Sequence, residues 1–266
     1  MKRLFLLVAF FCMGTVPVLA DEVYVGTSNG SFVEYNTTTG ADTLLGTNTT
    51  VLFGLATQGG VLYANDNGSS PTTGFYSVNP SNGALTSIGD IAGATSGTGS
   101  ITSLPGGGTL YYFDHSNNLF TINPGTGAAT LIGPLGFTVS GSWDLDFAPN
   151  GNLYATSNGN FYEINESTGA GTLLGSDGAE LQGLVAGDGG LYGFSGTSMY
   201  SINLSNGALT FIRTTPAGLG NFETGTEVPS TGVPEPGSAL SFLFGLGVVG
   251  AFALWSRVRT TSVVSV

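Results

Sequence analysis

The chain has 266 residues, of which 17 are acidic and five basic, for a formal net charge of −12, and it contains 44 glycines but a single cysteine. A surface of that sign repels nucleic-acid phosphate and anionic lipid headgroups, so neither suits it as a partner. One cysteine rules out an internal disulfide framework and any zinc site built on several thiolates.

The first element is an export leader. Lys2 and Arg3 form a basic start, Leu4 to Met13 is an apolar stretch of signal-peptide length, and Val18-Leu19-Ala20 puts small residues at the positions a signal peptidase reads. Residues 1–20 are therefore expected to be a signal peptide cleaved after Ala20. Cys12 departs with it, leaving a body without thiol chemistry that is still long enough to bury a core.

From Val33 to Thr210 one pattern recurs five times. Its copies are Val33-Glu-Tyr-Asn36, Tyr76-Ser-Val-Asn79, Phe120-Thr-Ile-Asn123, Tyr162-Glu-Ile-Asn165 and Tyr200-Ser-Ile-Asn203. Four residues after each Asn stands a glycine (Gly40, Gly83, Gly127, Gly169, Gly207), preceded by Thr or Asn and followed by Ala. The alternating segment reads as a strand with one buried face, the Asn as a turn former, and the Gly as the left-handed residue that closes a hairpin. Upstream of each lies a strand containing Tyr24, Tyr63, Tyr111, Tyr154 or Tyr192, whose recurrence points to packing between repeats. A further short strand precedes most of these, as in Gly54-Leu-Ala-Thr, Asp144-Leu-Asp-Phe and Gly183-Leu-Val-Ala. A period near 40 residues with four short strands per unit is that of a β-propeller blade. The fold class is thus all-β, a five-bladed β-propeller of four-stranded antiparallel blades over residues 21–228. The repeat begins on the second strand of a blade, so the segment from Asn221 to Val228 is expected to complete the first blade and close the ring. The first unit, from Val23 to Gly40, also resembles a quinoprotein propeller repeat, although the blade-docking Trp and the charged site of those enzymes are missing. That resemblance implies shared blade geometry and not a shared cofactor.

Chemistry-bearing residues are few. His115 is the only histidine, which removes His-based metal clusters and a Ser-His-Asp arrangement. Its polar surroundings, Asp114 to Asn118, read as an exposed turn between strands. Asp144 and Asp146 share one face of a strand whose other face carries Trp143, Leu145 and Phe147. Such a pair can act as acid and base, bind Ca²⁺, or serve local hydrogen bonding near the axis. The aligned positions in other repeats are Gly54/Ala56, Ser100/Thr102 and Gly183/Val185, so the pair belongs to one blade. Asn65 to Ser69 and Asp177-Gly178 have Ca²⁺-loop composition without the full spacing, and read as turns.

The end of the chain supplies an address. Residues 229–238 form a linker containing Val233-Pro234-Glu235-Pro236, residues 239–256 an uncharged apolar span, and residues 257–266 a tail opening with Arg257 and Arg259. Seventeen residues from Ala239 to Trp255 are near the shortest length that crosses a bilayer, and the arginines favour a cytoplasmic C-terminus. This ending resembles the PEP-CTERM sorting signal of Gram-negative bacteria. The resemblance implies an inner-membrane precursor, processing by an exosortase-type enzyme, and release to the surface of cells that secrete exopolysaccharide. With both ends removed, Arg213 alone would face 16 of the 17 acidic residues, a net charge near −15. The body is therefore expected to be a non-enzymatic binding or structural module for glycan or another envelope component. The alternative is an extracellular carbohydrate-active or hydrolytic enzyme using carboxylates of one blade.

Overall fold

A computed structural model of the protein describes residues 22–68, 73–94, 99–104, 108–176, 178–187 and 189–228. The leader with its cleavage at Ala20, the Val233–Pro236 motif, the apolar span, Arg257 and Arg259, and also Asp177, lie outside the described residues. No helix among the described residues is long and apolar enough to cross a membrane.

Twenty strands form five antiparallel four-stranded sheets. The first blade holds β1 (Glu22–Thr27), β2 (Ser31–Asn36) and β3 (Asp42–Thr47). The second holds β4 (Leu52–Gln58), β5 (Val61–Asp66), β6 (Gly74–Val78) and β7 (Leu85–Asp90). The third runs through β8 (Gly99–Ser103), β9 (Leu110–Asp114), β10 (Asn118–Ile122) and β11 (Ala129–Pro134). The fourth comprises β12 (Trp143–Phe147), β13 (Leu153–Ser157), β14 (Asn160–Ile164) and β15 (Gly171–Ser176). The fifth comprises β16 (Gly183–Gly187), β17 (Gly190–Ser195), β18 (Ser198–Ile202) and β19 (Leu209–Thr214). The last strand, β20 (Phe222–Glu227), returns to pair with β1 and becomes the innermost strand of the first blade. The inner strands β20, β4, β8, β12 and β16 then pack side by side in a closed ring, which is the five-bladed propeller the repeat predicts.

The repeated turn explains its own letters. The amide of each Asn (36, 79, 123, 165, 203) donates to the carbonyl of the Ala after the glycine, and each glycine amide donates back to the Asn carbonyl at 2.8 Å. The Thr or Asn before the glycine accepts that Ala's amide on its side chain, as in Thr126, Thr168, Asn82 and Asn206. The glycines sit at φ between +69° and +80°, where a Cβ is strained. They are also pressed against the preceding blade: a Cβ at Gly83 would lie 2.8 Å from that of Phe32, and one at Gly207 2.7 Å from that of Phe161.

Every outer strand carries a β-bulge at the same place. The bypassed residues are Leu45, Ile88, Ile132, Leu174 and Ile212, and each packs into a hydrophobic cluster shared with the next blade. The bulge turns an apolar side chain that strict alternation would expose into the seam. The core is accordingly five clusters, one per blade–blade seam. The tyrosines of the second strands, Tyr24, Tyr63, Tyr111, Tyr154 and Tyr192, are distributed one to each cluster, as their recurrence suggests.

Beyond the bulge four blades place Gly46, Gly89, Gly133 and Gly175 against the turn of the following blade. In the fifth blade this position is Arg213, whose guanidinium Nη2 donates to the Thr38 carbonyl of the first blade. The single cation between residues 22 and 228 thus spans the seam where the ring closes.

Two alanine substitutions separate the backbone requirement from the seam requirement. Gly136, at φ +77°, has open space where a Cβ would go, whereas one at Gly169, at φ +80°, would lie 2.6 Å from the Gly133 carbonyl oxygen. Gly136→Ala is expected to cost about 1–2 kcal/mol in urea denaturation from the left-handed conformation alone. Gly169→Ala is expected to cost about 1–3 kcal/mol more because the neighbouring blade must move.

Candidate functional site

Closing five blades into a ring brings five inner strands together with their outward edges unpaired. Two layers of small side chains fill the axis: Gly54, Ser100, Asp144, Gly183 and Thr224, then Ala56, Thr102, Asp146, Val185 and Thr226, all buried. The amides along these edges need acceptors. Thr224 Oγ1 accepts from Leu55 N at 3.1 Å, and Asn65 Oδ1 accepts from Ile101 N at 3.1 Å. Asn65, in the stretch that reads as a turn, is in fact a buried strand residue whose Nδ2 also donates to Gly99 O at 2.7 Å.

Asp144 and Asp146 perform this task for the remaining blades. Asp144 Oδ1 accepts from Ser100 Oγ at 2.6 Å and from Leu145 N at 2.8 Å, and Oδ2 accepts from Leu184 N at 2.7 Å. Asp146 repeats the arrangement with Thr102 Oγ1 at 2.6 Å, Phe147 N at 2.9 Å and Ala186 N at 2.8 Å. Each carboxylate therefore joins three blades, with the fourth held between the third and the fifth. Their surroundings present hydrogen-bond donors, whereas Ca²⁺ needs oxygens converging from several groups. Among the described residues no group of three His, Cys, Asp or Glu side chains is placed to hold a metal ion. The two residues are 1% and 5% exposed.

Burial raises both acids, Asp144 well above the ordinary carboxylate range and Asp146 up to about 7. Neighbouring carboxylates add to this, Asp146 acting on Asp144 and Glu227 on Asp146, while the donors pull the other way. The Ser100 and Thr102 hydroxyls can donate to a carboxylate or accept from a carboxylic acid, so a proton enters without rearrangement.

Immediately before these layers, at the entrance of the inner strands, lies a cavity of about 120 Å³ lined by Phe53, Gly141, Ser142, Trp143, Gln182 and Glu223. Phe53 comes from the second blade, Trp143 from the fourth, Gln182 from the entrance to the fifth and Glu223 from the first. Two of the four are aimed there by irregularity. The pairing of β4 with β5 skips Phe53, and that of β20 with β1 skips Glu223, so both sit on β-bulges that these inner strands alone possess. The Phe53 and Trp143 rings stack at 6.0 Å between centroids. Gln182 is oriented by accepting from Gly196 N at 3.0 Å. Glu223 is half-buried, its pKa raised by desolvation alone, with no hydrogen-bond partner among the described residues.

His115, from the third blade, packs against Trp143 and does not itself line the cavity. It occupies the β9–β10 turn, as its polar neighbours suggest, but it is half-buried and not exposed. Its ring meets the Trp143 face edge-on at 4.8 Å, and its Nε2 is enclosed without a partner among the described residues. Burial against the indole lowers its basicity, with Asp114 opposing. Sequence reasoning singled out Asp144, Asp146 and His115. It did not find Phe53 or Glu223, because a bulge depends on how two strands register and leaves no mark in either one, nor Gln182, which precedes β16 and is set by its bond from Gly196 N.

No protein-family model matches the chain, and no curated protein matches it in sequence. Solved structures match its shape. A protein described in work on the de novo evolutionary emergence of a symmetrical protein is 18% identical, with a TM-score of 0.50 over 75% of this chain and 96% of that one. A protein of unknown function from Bacteroides thetaiotaomicron is 16% identical, with a TM-score of 0.53 over 80% of this chain and 62% of its own. A gluconolactonase from Xanthomonas campestris is 14% identical, with a TM-score of 0.50 over 74% and 71%. Identities at this level establish a shared fold alone. Since one neighbour is an enzyme, the architecture by itself accommodates catalysis as well as binding.

The aspartates give a stability test with a definite sign. Asn has one acceptor oxygen, so Asp146→Asn leaves either Phe147 N or Ala186 N without a partner, at an expected cost of about 1–3 kcal/mol. Because the folded pKa of Asp146 lies above its unfolded value, its ionisation opposes folding: the stabilisation is complete below pH 3.8 and is lost progressively as pH rises to about 7. Melting curves between pH 5 and 8 are expected to show a steeper alkaline loss for the wild type than for Asp146→Asn, by up to about 1.4 kcal/mol per pH unit.

Proposed function

We propose that the chain is an exported cell-surface or extracellular-matrix protein whose propeller is a non-enzymatic binding module for glycan or another envelope component. The observation that carries the binding reading is the axial mouth, where single side chains from separate blades converge on one cavity. Stacked aromatic rings beside an amide and a carboxylate offer an apolar platform with a few fixed polar groups, the usual composition of a small-molecule site. A cavity of about 120 Å³ admits one edge of a sugar ring or a compact end group and does not enclose a larger ligand.

The surface address rests on the two chain ends: a leader cleaved after Ala20, and the Val233-Pro234-Glu235-Pro236 motif ahead of an apolar span and Arg257-Val-Arg259. In this reading an exosortase-type enzyme processes an inner-membrane precursor and the body reaches extracellular polysaccharide.

The competing reading is a hydrolytic or carbohydrate-active enzyme. Acid and base chemistry on a glycoside asks for two carboxyl groups flanking the bond. Glu223 is the only carboxylate lining the cavity among the described residues, and the oxygens of Asp144 and Asp146 are occupied by backbone and hydroxyl donors. Binding is therefore the better-supported role.

Two measurements test this. Fractionation of the native host with intact mass analysis is expected to place a form ending between Val233 and Gly237 in the surface or medium fraction; a form retaining Arg257 and Arg259 in the inner membrane would refute the sorting assignment. Polysaccharide from the host matrix is expected to retain the wild-type protein, with retention falling at least ten-fold in Trp143→Leu while the melting temperature changes little. Equal retention would remove the mouth from the binding role.

A further inference from the structure

The chemistry of the mouth narrows what it can take. Its one charged group is the Glu223 carboxylate, set on a β-bulge of β20, partly withdrawn from water, and unmatched by any donor among the described residues. Leaving an acid half-desolvated without a partner is unfavourable, and it is relieved when a cationic or donor group enters. Beside it the stacked Phe53 and Trp143 rings form an apolar wall. Of the other lining polar groups, Gln182 Oε1 accepts from Gly196 N and Ser142 Oγ donates to Glu180 Oε2, so neither is spent on Glu223. The field at longer range has the same sense, since Arg213 is the only Lys or Arg between residues 22 and 228 and sits at the closing seam. An acidic body concentrates cations at a concave opening lined by the same sign.

From this arrangement we infer that the axial mouth is a site for an organic ammonium group, with Glu223 as the counter-charge and the Phe53–Trp143 pair as the apolar wall. The inference rests on the binding reading above and names the ligand class within it: an amino sugar bearing a free amine, in preference to its N-acetylated or carboxylated counterparts. A carboxylated sugar would set like charges together at Glu223, and an N-acetyl sugar would offer the acid only neutral donors where an amine supplies a counter-charge. The site is built by the closure of the ring, because Glu223 lies on the final strand and the other three residues on the second, fourth and fifth blades.

Isothermal titration of the full chain at low salt and neutral pH with glucosamine, N-acetylglucosamine, glucuronate and tetramethylammonium tests it. Glucosamine is expected to bind at least ten-fold more tightly than N-acetylglucosamine, glucuronate not to bind, and tetramethylammonium to compete with glucosamine. Glu223→Gln is expected to bring the two hexoses within about two-fold of each other, and Trp143→Phe to weaken both cations. Among the described residues Glu223 has no partner to lose, so the Gln variant should fold; an unchanged melting temperature checks this. N-acetylglucosamine binding as well as glucosamine would overturn the ammonium inference and leave the glycan reading standing. Tetramethylammonium binding without any sugar would keep the ammonium site and refute the glycan reading. Binding of none of the four would refute both.

Discussion

The structure depends on the supply of hydrogen-bond acceptors at the propeller axis. Each sheet satisfies its own backbone except along two edges. The outer edge faces water, but the inner edge faces four others like it, in a space too narrow for solvent or large side chains. Amides there must be met by groups from neighbouring blades or remain unpaired in a dry interior, which costs on the order of 1–3 kcal/mol each. Small residues set how closely the strands approach, and Thr224, Asn65, Asp144 and Asp146 supply the acceptors. Carboxylates are an expensive answer in a buried site without a nearby cation. They are also an efficient one, since two oxygens on one side chain serve its own strand and both neighbouring blades together.

Blade and fold were legible in the sequence because the motif that recurs is one whose bonds are local. Asn123, Thr126, Gly127 and Ala128 bind one another within a single turn, so their identities carry the geometry. The phase of the repeat also disclosed the closing strand, since a chain starting on the second strand of a blade has to find its first strand elsewhere. The role of the aspartates was only half legible. Alternation placed both on one face, and alignment put Ser100 and Thr102 at matching positions. Nothing local says that these are the partners, because the bonds run 44 residues back and 40 forward. The mouth was not legible at all. Phe53 reads as an ordinary apolar strand residue and Glu223 as a solvated acid until the pairing of their strands is known.

Departures from symmetry mark where the five units stop being equivalent. Four seams bring a glycine up to the next blade's turn, and the fifth substitutes Arg213, which reaches the first blade's Thr38. There β19 runs on into β20, which is held to the rest of the first blade by its hydrogen bonds to β1 and not by a hairpin. A long side chain with several donors bridges the seam where a glycine would only permit approach. The same logic applies to the inner bulges, found only on the strands supplying Phe53 and Glu223. A repeat kept regular for packing is broken there in favour of aiming a side chain.

The placement of β20 also sets an order of events. This strand closes the ring and carries Glu223, so structural completion and the assembly of the mouth occur in one step. A chain synthesised N-terminus first presents four whole blades and three strands of another before this strand arrives. Until β20 is in place, the cavity lacks Glu223, its only lining carboxylate among the described residues. A molecule cut short before β20 therefore lacks both the strand that closes the ring and the Glu223 side of the cavity.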